Sequence, residues 1–148
     1  MTRAWIFDLD GTLADVSHRR HFVASKPRNW AAWNAAQPRD PVHEPVAELA
    51  RVLKAQGTAV VIVSGRGSEV RDSTVEWLNR HAIPFDALFM RTAKDYRADD
   101  IIKQELLEEV RAAGWDPVAV VDDRPRVVRM WRDNGLFVFD VNQSGEEF

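Results

Sequence analysis

The chain has no cysteine, which excludes disulfides, thiolate nucleophiles and cysteine-bound metals together. It has no apolar run long enough to span a bilayer. Met1-Thr2-Arg3 leads straight towards Asp8 and Asp10, without the pattern of a signal peptide. No internal repeat or low-complexity tract interrupts the 148 residues. Lysine is scarce: Lys26, Lys54, Lys94 and Lys103 supply four of the 20 cations. None of them sits in a Gly-x-x-x-x-Gly-Lys-Ser/Thr loop, so kinase activity is not expected. The net charge of −3 does not suit a protein that holds duplex DNA by charge alone. A cytoplasmic protein with no membrane partner is the expectation, and no protein partner is readable.

The other 16 cations are arginine, whose planar fork suits phosphate, although compositional bias accounts for most of them. Hydrophobic residues make up 45%, enough for a folded core. The length suits a single domain, residues 1–148. Apolar runs predict strands at 3–9, 58–63, 85–90, 118–121 and 136–141. Helices are expected at about 45–56, 69–81, 99–113 and 126–134. Pro45 suits a first turn, Ser68 and Asp99 suit caps, and Gly57, Gly114 and Gly135 suit stops. Residues 14–41 read as a loop with short helices, and residues 142–148 as a tail. Strand–helix alternation of this kind argues for an α/β fold, a Rossmann-like parallel sheet with helices on both faces. Ligands bind beyond the carboxyl ends of such strands. Asp8 and Asp10, Ser64, and Asp122 and Asp123 each follow an apolar run, so all should reach that rim.

Two aspartates at i and i+2 off one strand are expected to point to the same side. Asp8 can then attack phosphorus to form an aspartyl-phosphate, while Asp10 protonates the leaving oxygen and later activates water. With an ordinary value of about 3.9, the Asp10 carboxyl needs tuning to act as an acid near neutrality. A phosphoryl group and Asp8 are both negative, so a cation must lie between them. Mg²⁺ suits, with Asp8, Asp10, Asp122 and Asp123 as ligands. An ordinary reading of Asp122-Asp123 is a cap for the next helix; one aspartate can bind metal while the other caps or orients. Ser64, the amides near Gly65 and Lys103 are candidates to bind phosphate oxygens.

Asp8-Leu9-Asp10-Gly11-Thr12 resembles motif one of the haloacid dehalogenase (HAD) superfamily. Ser64 matches motif two, Lys103 motif three, and Asp122-Asp123 motif four. The second aspartate is present in the phosphatases and phosphomutases of that superfamily and lacking in its dehalogenases. A closer resemblance covers nearly the whole chain: Ser64-Gly65-Arg66, Asp99-Asp100-Ile101-Ile102-Lys103, Asp122-Asp123-Arg124, Val127-Val128-Arg129-Met130-Trp131-Arg132 and Gln143-Ser144-Gly145-Glu146-Glu147-Phe148. These are similar to the 3′-phosphatase domain of phage-type polynucleotide kinase/phosphatases. The resemblance implies a HAD phosphatase domain with a small cap insert at about 14–41. It implies that Asp8 is the nucleophile, Asp10 the acid/base, and Arg19 and Arg66 the substrate-phosphate ligands. Thr12 and Gly65 join the substrate side, and Asp99 supports Lys103.

Three functions follow from these readings. The first is a Mg²⁺-dependent phosphatase of a nucleic-acid or nucleotide 3′-phosphate. The second is a phosphatase of a free nucleotide or small metabolite. The third is a non-catalytic phosphate-binding module, ranked last because every catalytic position is filled. His18, His21 and His43 lack a partner set at metal-ligand spacing and read as surface or substrate-facing. Trp30 and Trp33 share a helix face; packing of residues 29–36 is preferred over a cap that stacks a base. Trp77, Trp115 and Trp131 read as packing residues.

Overall fold

A computed structural model of the chain describes residues 1–146. Strands β1 (Thr2–Phe7), β2 (Ala59–Gly67), β3 (Ala87–Arg91), β4 (Trp115–Asp122) and β5 (Phe137–Asp140) form one sheet, ordered β3-β2-β1-β4-β5. Every neighbouring pair is parallel. The helices are α1 (Trp30–Ala36), α2 (Glu44–Ala55), α3 (Arg71–Arg80), α4 (Asp99–Ala112) and α5 (Pro125–Asp133). The chain starts at the centre, winds outward through β2 and β3, then crosses back to β4 and β5. The reversal between β1 and β4 opens the crevice where ligands bind in such sheets.

Both faces of the sheet are covered, which is why the strand sequences read as unbroken apolar runs. Phe7, Val60 and Ile62 meet Ala47, Ala50, Trp77 and Leu78 from α2 and α3. Ile6, Val61 and Val120 meet Ile102, Leu107, Val127 and Trp131 from α4 and α5. Residues 14–41 hold a 3-10 turn (Ser17–Phe22), α1 and a second turn (Gln37–Arg39), and return to the first loop through an Ala14–Val42 bridge.

Three local expectations are corrected. β1 ends at Phe7, so Asp8 and Asp10 lie beyond it in a loop and strand alternation does not govern them. β2 does not end at Val63; it runs to Gly67 through a bulge, with Ser64 opposite Met90 and Gly67 opposite Arg91. The two residues set out of register are Gly65 and Arg66, and the bulge is a device that re-aims a side chain. Neither Ser68 nor Asp99 caps a helix by side chain. Ser68 Oγ instead accepts from the Ala93 amide at 3.1 Å, and Asp99 is the first residue of α4.

Leu107 is fully buried between α4 and the sheet. Leu107→Ala is expected to lower stability by about 2–5 kcal/mol, read by urea denaturation.

Candidate active site

The loop after β1 places Asp8 against α4 and the end of β4. Lys103 Nζ donates to Asp8 Oδ1 at 2.7 Å and to Asp122 Oδ2 at 3.1 Å, and only 1% of its side chain is exposed. Asp99 Oδ2 stands 4.0 Å from the same nitrogen, one helical turn before it. Burial disfavours the charged lysine, but Asp122, Asp8 and Asp99 outweigh it and hold its pKa well above the ordinary value. Asp122 is engaged on all sides: Oδ1 accepts from the Asp123 amide at 2.7 Å and the Arg124 amide at 3.3 Å, and Oδ2 accepts from Trp131 Nε1 at 3.0 Å. Burial, then the Asp122 charge, push the Asp8 carboxyl well above the usual carboxylate range, and Lys103 offsets only part of this. Burial and Asp122 also raise Asp123.

Asp10 meets opposite surroundings. Its Oδ1 accepts from Arg19 Nη2 at 2.8 Å, Arg66 Nη2 at 2.6 Å and Arg66 Nε at 3.0 Å. Burial raises its pKa, but the Arg66 and Arg19 charges prevail and hold it below the ordinary value. Beneath it lies Asp40, whose side chain is fully buried. Asp40 Oδ1 accepts from Arg19 Nε at 2.8 Å and pairs with His18 Nε2 at 2.6 Å; Oδ2 accepts from Arg19 Nη2 at 2.7 Å and Arg66 Nη2 at 3.3 Å. Arg66 Nη1 donates to Thr74 Oγ1 at 3.1 Å, and the Arg19 guanidinium lies over Trp33 at 4.0 Å. Arg19 Nη1 is buried with no partner among the described residues.

Two glycines are required by close approach. A Cβ on Gly11, at φ +85°, would lie 2.1 Å from Asp123 Oδ2. A Cβ on Gly65 would lie 2.0 Å from Asp99 Oδ1.

The family described as the polynucleotide kinase PNKP phosphatase domain matches residues 2–146. The chain belongs to this family. It is 30% identical, over 99% of its own length, to a protein of Autographa californica nuclear polyhedrosis virus assigned as a bifunctional polynucleotide kinase/RNA ligase. A chain of the Pnkp1/Rnl/Hen1 complex is 36% identical, with a TM-score of 0.82 over 95% of this chain. The phosphatase domain spans 20% of the viral relative and 45% of that structural one. The class C acid phosphatase of Bacillus anthracis, 17% identical, shares the fold with a TM-score of 0.68 over 94% of this chain and 66% of that one.

The phosphatase domain brings all the expected site residues to one rim, in two groups rather than one. Asp8 and Asp10 do not act as a same-side pair: Asp8 joins the acidic group with Lys103, and Asp10 joins the arginines. One oxygen each from Asp8, Asp122 and Asp123 lies within 4.8 Å of the others, and all three residues are buried. Hard oxygens in excess over one ammonium fit a divalent metal ion. The Asp10 carboxylate is no part of this acidic group, because both arginines hold it. Thr12 turns to this acidic group. Its hydroxyl is fully buried, 2.9 Å from Asp8 Oδ2 and 3.2 Å from Asp123 Oδ1. Ser64 Oγ accepts from the Arg66 amide at 3.1 Å, and the Gly65 carbonyl accepts from Arg91 Nε at 2.8 Å. Arg91 Nη2 also donates to Asp99 Oδ1 at 3.2 Å.

Three contributors escape the sequence reading. Asp40 carried no motif; its only signal is an acid set between two predicted elements, in Arg39-Asp40-Pro41. Arg91 ties motif two to Asp99. Trp131 packs as expected but also donates to Asp122. His43 Nδ1 lies 3.0 Å from the Thr12 carbonyl, and His21 packs on Phe22.

A carboxyl raised in the folded state lowers stability as pH climbs from about 3.9 through the folded value. Asp8→Asn removes that loss. In metal-free buffer the variant is expected to be more stable at pH 7 by about 1 kcal/mol or more, with the gap closing towards pH 4. Thermal melts at both pH values check this. Asp40→Asn leaves two buried arginines short of a counter-charge, and about 3 kcal/mol of stability should be lost in denaturant titration.

Proposed function

We propose that this domain is a Mg²⁺-dependent phosphatase acting through Asp8 on the 3′-phosphate of a polynucleotide or nucleotide. The observation that carries the reading is the opposite setting of the two carboxylates, Asp8 beside Lys103 and the acidic group, Asp10 between two arginines. Asp8, Asp122 and Asp123 would hold the metal, which when bound screens the negative charge between nucleophile and phosphate.

Arg19 and Arg66 receive the phosphate oxygens through the donors that Asp10 occupies at rest. An Asp8 oxygen attacks phosphorus, and the bond to the ester oxygen breaks. Asp10 donates its proton to that oxygen, releasing the 3′-hydroxyl. A water then attacks the aspartyl-phosphate and gives a proton to Asp10, which restores Asp8 and frees inorganic phosphate. Lys103 keeps Asp8 oriented throughout. The arginines must turn to the phosphate before Asp10 can carry a proton, because at rest they hold it ionised.

The 3′-phosphate is supported by the family and by relatives named for polynucleotide kinase and RNA ligase. Two solved relatives sit in Pnkp1/Rnl/Hen1 complexes, which supports a protein partner here as well.

The test is a substrate panel of 3′-phosphorylated oligonucleotides, 5′-phosphorylated ones and free mononucleotides, with Mg²⁺ or EDTA. Mg²⁺-dependent release from 3′ ends is expected, falling at least about 1,000-fold in Asp8→Asn. Preference for 5′ ends, mononucleotides or small esters would replace this substrate with a metabolite. Activity equal in EDTA, or in Asp8→Asn, would remove the mechanism.

A further inference from the structure

We propose that Trp30 is the platform on which the base of the nucleotide bearing the scissile phosphate stacks. The inference rests on the 3′-phosphate reading and adds to it a contact outside the reacting groups.

Trp33 alone does the packing expected of both tryptophans of α1. It is half-buried against the core and lies under the Arg19 guanidinium. Trp30 stays 55% exposed at the first position of α1. Asn29 Oδ1 accepts the Ala32 amide at 3.0 Å and closes the first turn. The Trp30 ring meets Trp33 nearly at right angles (87°), with centroids 6.4 Å apart. An indole open to solvent beside a second ring is a surface on which a base can stack.

The same contacts place that ring relative to the chemistry. From Trp30 the path runs to Trp33, then to Arg19 at 4.0 Å from the Trp33 ring, then to Asp10 at 2.8 Å. Two ring contacts therefore separate Trp30 from the guanidinium that receives the phosphate. The exposed ring is thus joined, through Trp33, to the guanidinium proposed to receive the phosphate. Of the other exposed aromatics, Phe137 and Phe139 pack on each other, and Phe139 on Trp5, with Phe137 beside Ala119 in the β4 register; Tyr96 lies in the loop between β3 and α4.

The test compares 3′-phosphorylated strands that differ only in whether the last nucleotide carries a base. The parent is expected to favour the strand with the base. Trp30→Ala should lower kcat/KM for that strand about five- to hundred-fold, mostly through KM, and erase the preference over the abasic strand. Trp30→Phe should retain part of the preference, and Phe137→Ala all of it. A preference unchanged in Trp30→Ala overturns the inference and leaves the 3′-phosphatase reading standing. If the parent releases phosphate from neither strand, that reading has failed. Stacking is then judged by binding a strand ending in fluorescent 2-aminopurine to Asp8→Asn. Quenching lost on adding Trp30→Ala supports the inference, and quenching retained overturns it.

Discussion

A single buried ammonium group, that of Lys103, allows three carboxylates to stand together at the end of the sheet. Asp8 leaves β1 and Asp122 ends β4, so strand pairing brings them close whatever their charges. Like charges about 4 Å apart repel by about 4 kcal/mol even at an effective dielectric of 20. Lys103 bridges the two, and α4 holds it there by packing Ile102, Leu106 and Leu107 on the sheet. One cation does not neutralise three acids. Burial and then the residual charge raise Asp8 and Asp123, and that charge is what a divalent ion would meet. Neighbouring groups then complete the requirement. Trp131 gives Asp122 a donor, Gly65 makes room for Asp99, and Gly11 makes room for Asp123.

The cationic half has its own keystone in Asp40. Arg19 comes from the Ser17–Phe22 turn and Arg66 from the bulge of β2, and neither element fixes the other. Asp40 holds both guanidiniums from below, while its carbonyl accepts from Trp77 Nε1 of α3 at 3.0 Å. Three separate parts of the chain are thereby locked together by one residue. The outer edges of the arginines are left to Asp10, whose side chain is 25% exposed. In the proposed reaction the phosphate competes with Asp10 for donors and leaves Asp40 in place.

What the sequence made legible was local. An apolar run that ends in a polar group marks a strand reaching the rim, which located Asp8, Ser64 and Asp122 without any tertiary information. Lys103 was legible as a helix residue one turn after Asp99. The rest was set by distance along the chain. Asp40 meets its arginines 21 and 26 residues away, beyond any periodicity. The bulge that aims Arg66 depends on the β3 register. The pairing of Asp8 with Asp10 failed because strand alternation was carried past Phe7, where the backbone turns into the Gly11 loop and the two carboxylates part. For Trp30 and Trp33, spacing gave a shared helix face, and only the position of Arg19 decided which ring is covered.

The depressed pKa of Asp10 runs against the tuning its proposed role as an acid requires, and the contacts themselves supply the resolution. The arginine charges that lower it are mobile in partnership, because a phosphate dianion offers them better acceptors than one carboxylate. Moving a guanidinium from Asp10 to phosphate, while the phosphate adds negative charge nearby, weakens what holds the carboxyl below its ordinary value. The burial that opposes ionisation then weighs more. In the proposed reaction Asp10 becomes an acid only when substrate is present, and it returns to the arginines when phosphate leaves. A permanently raised Asp10 would instead leave two arginines facing an uncharged acid, and the rim would be open to any anion.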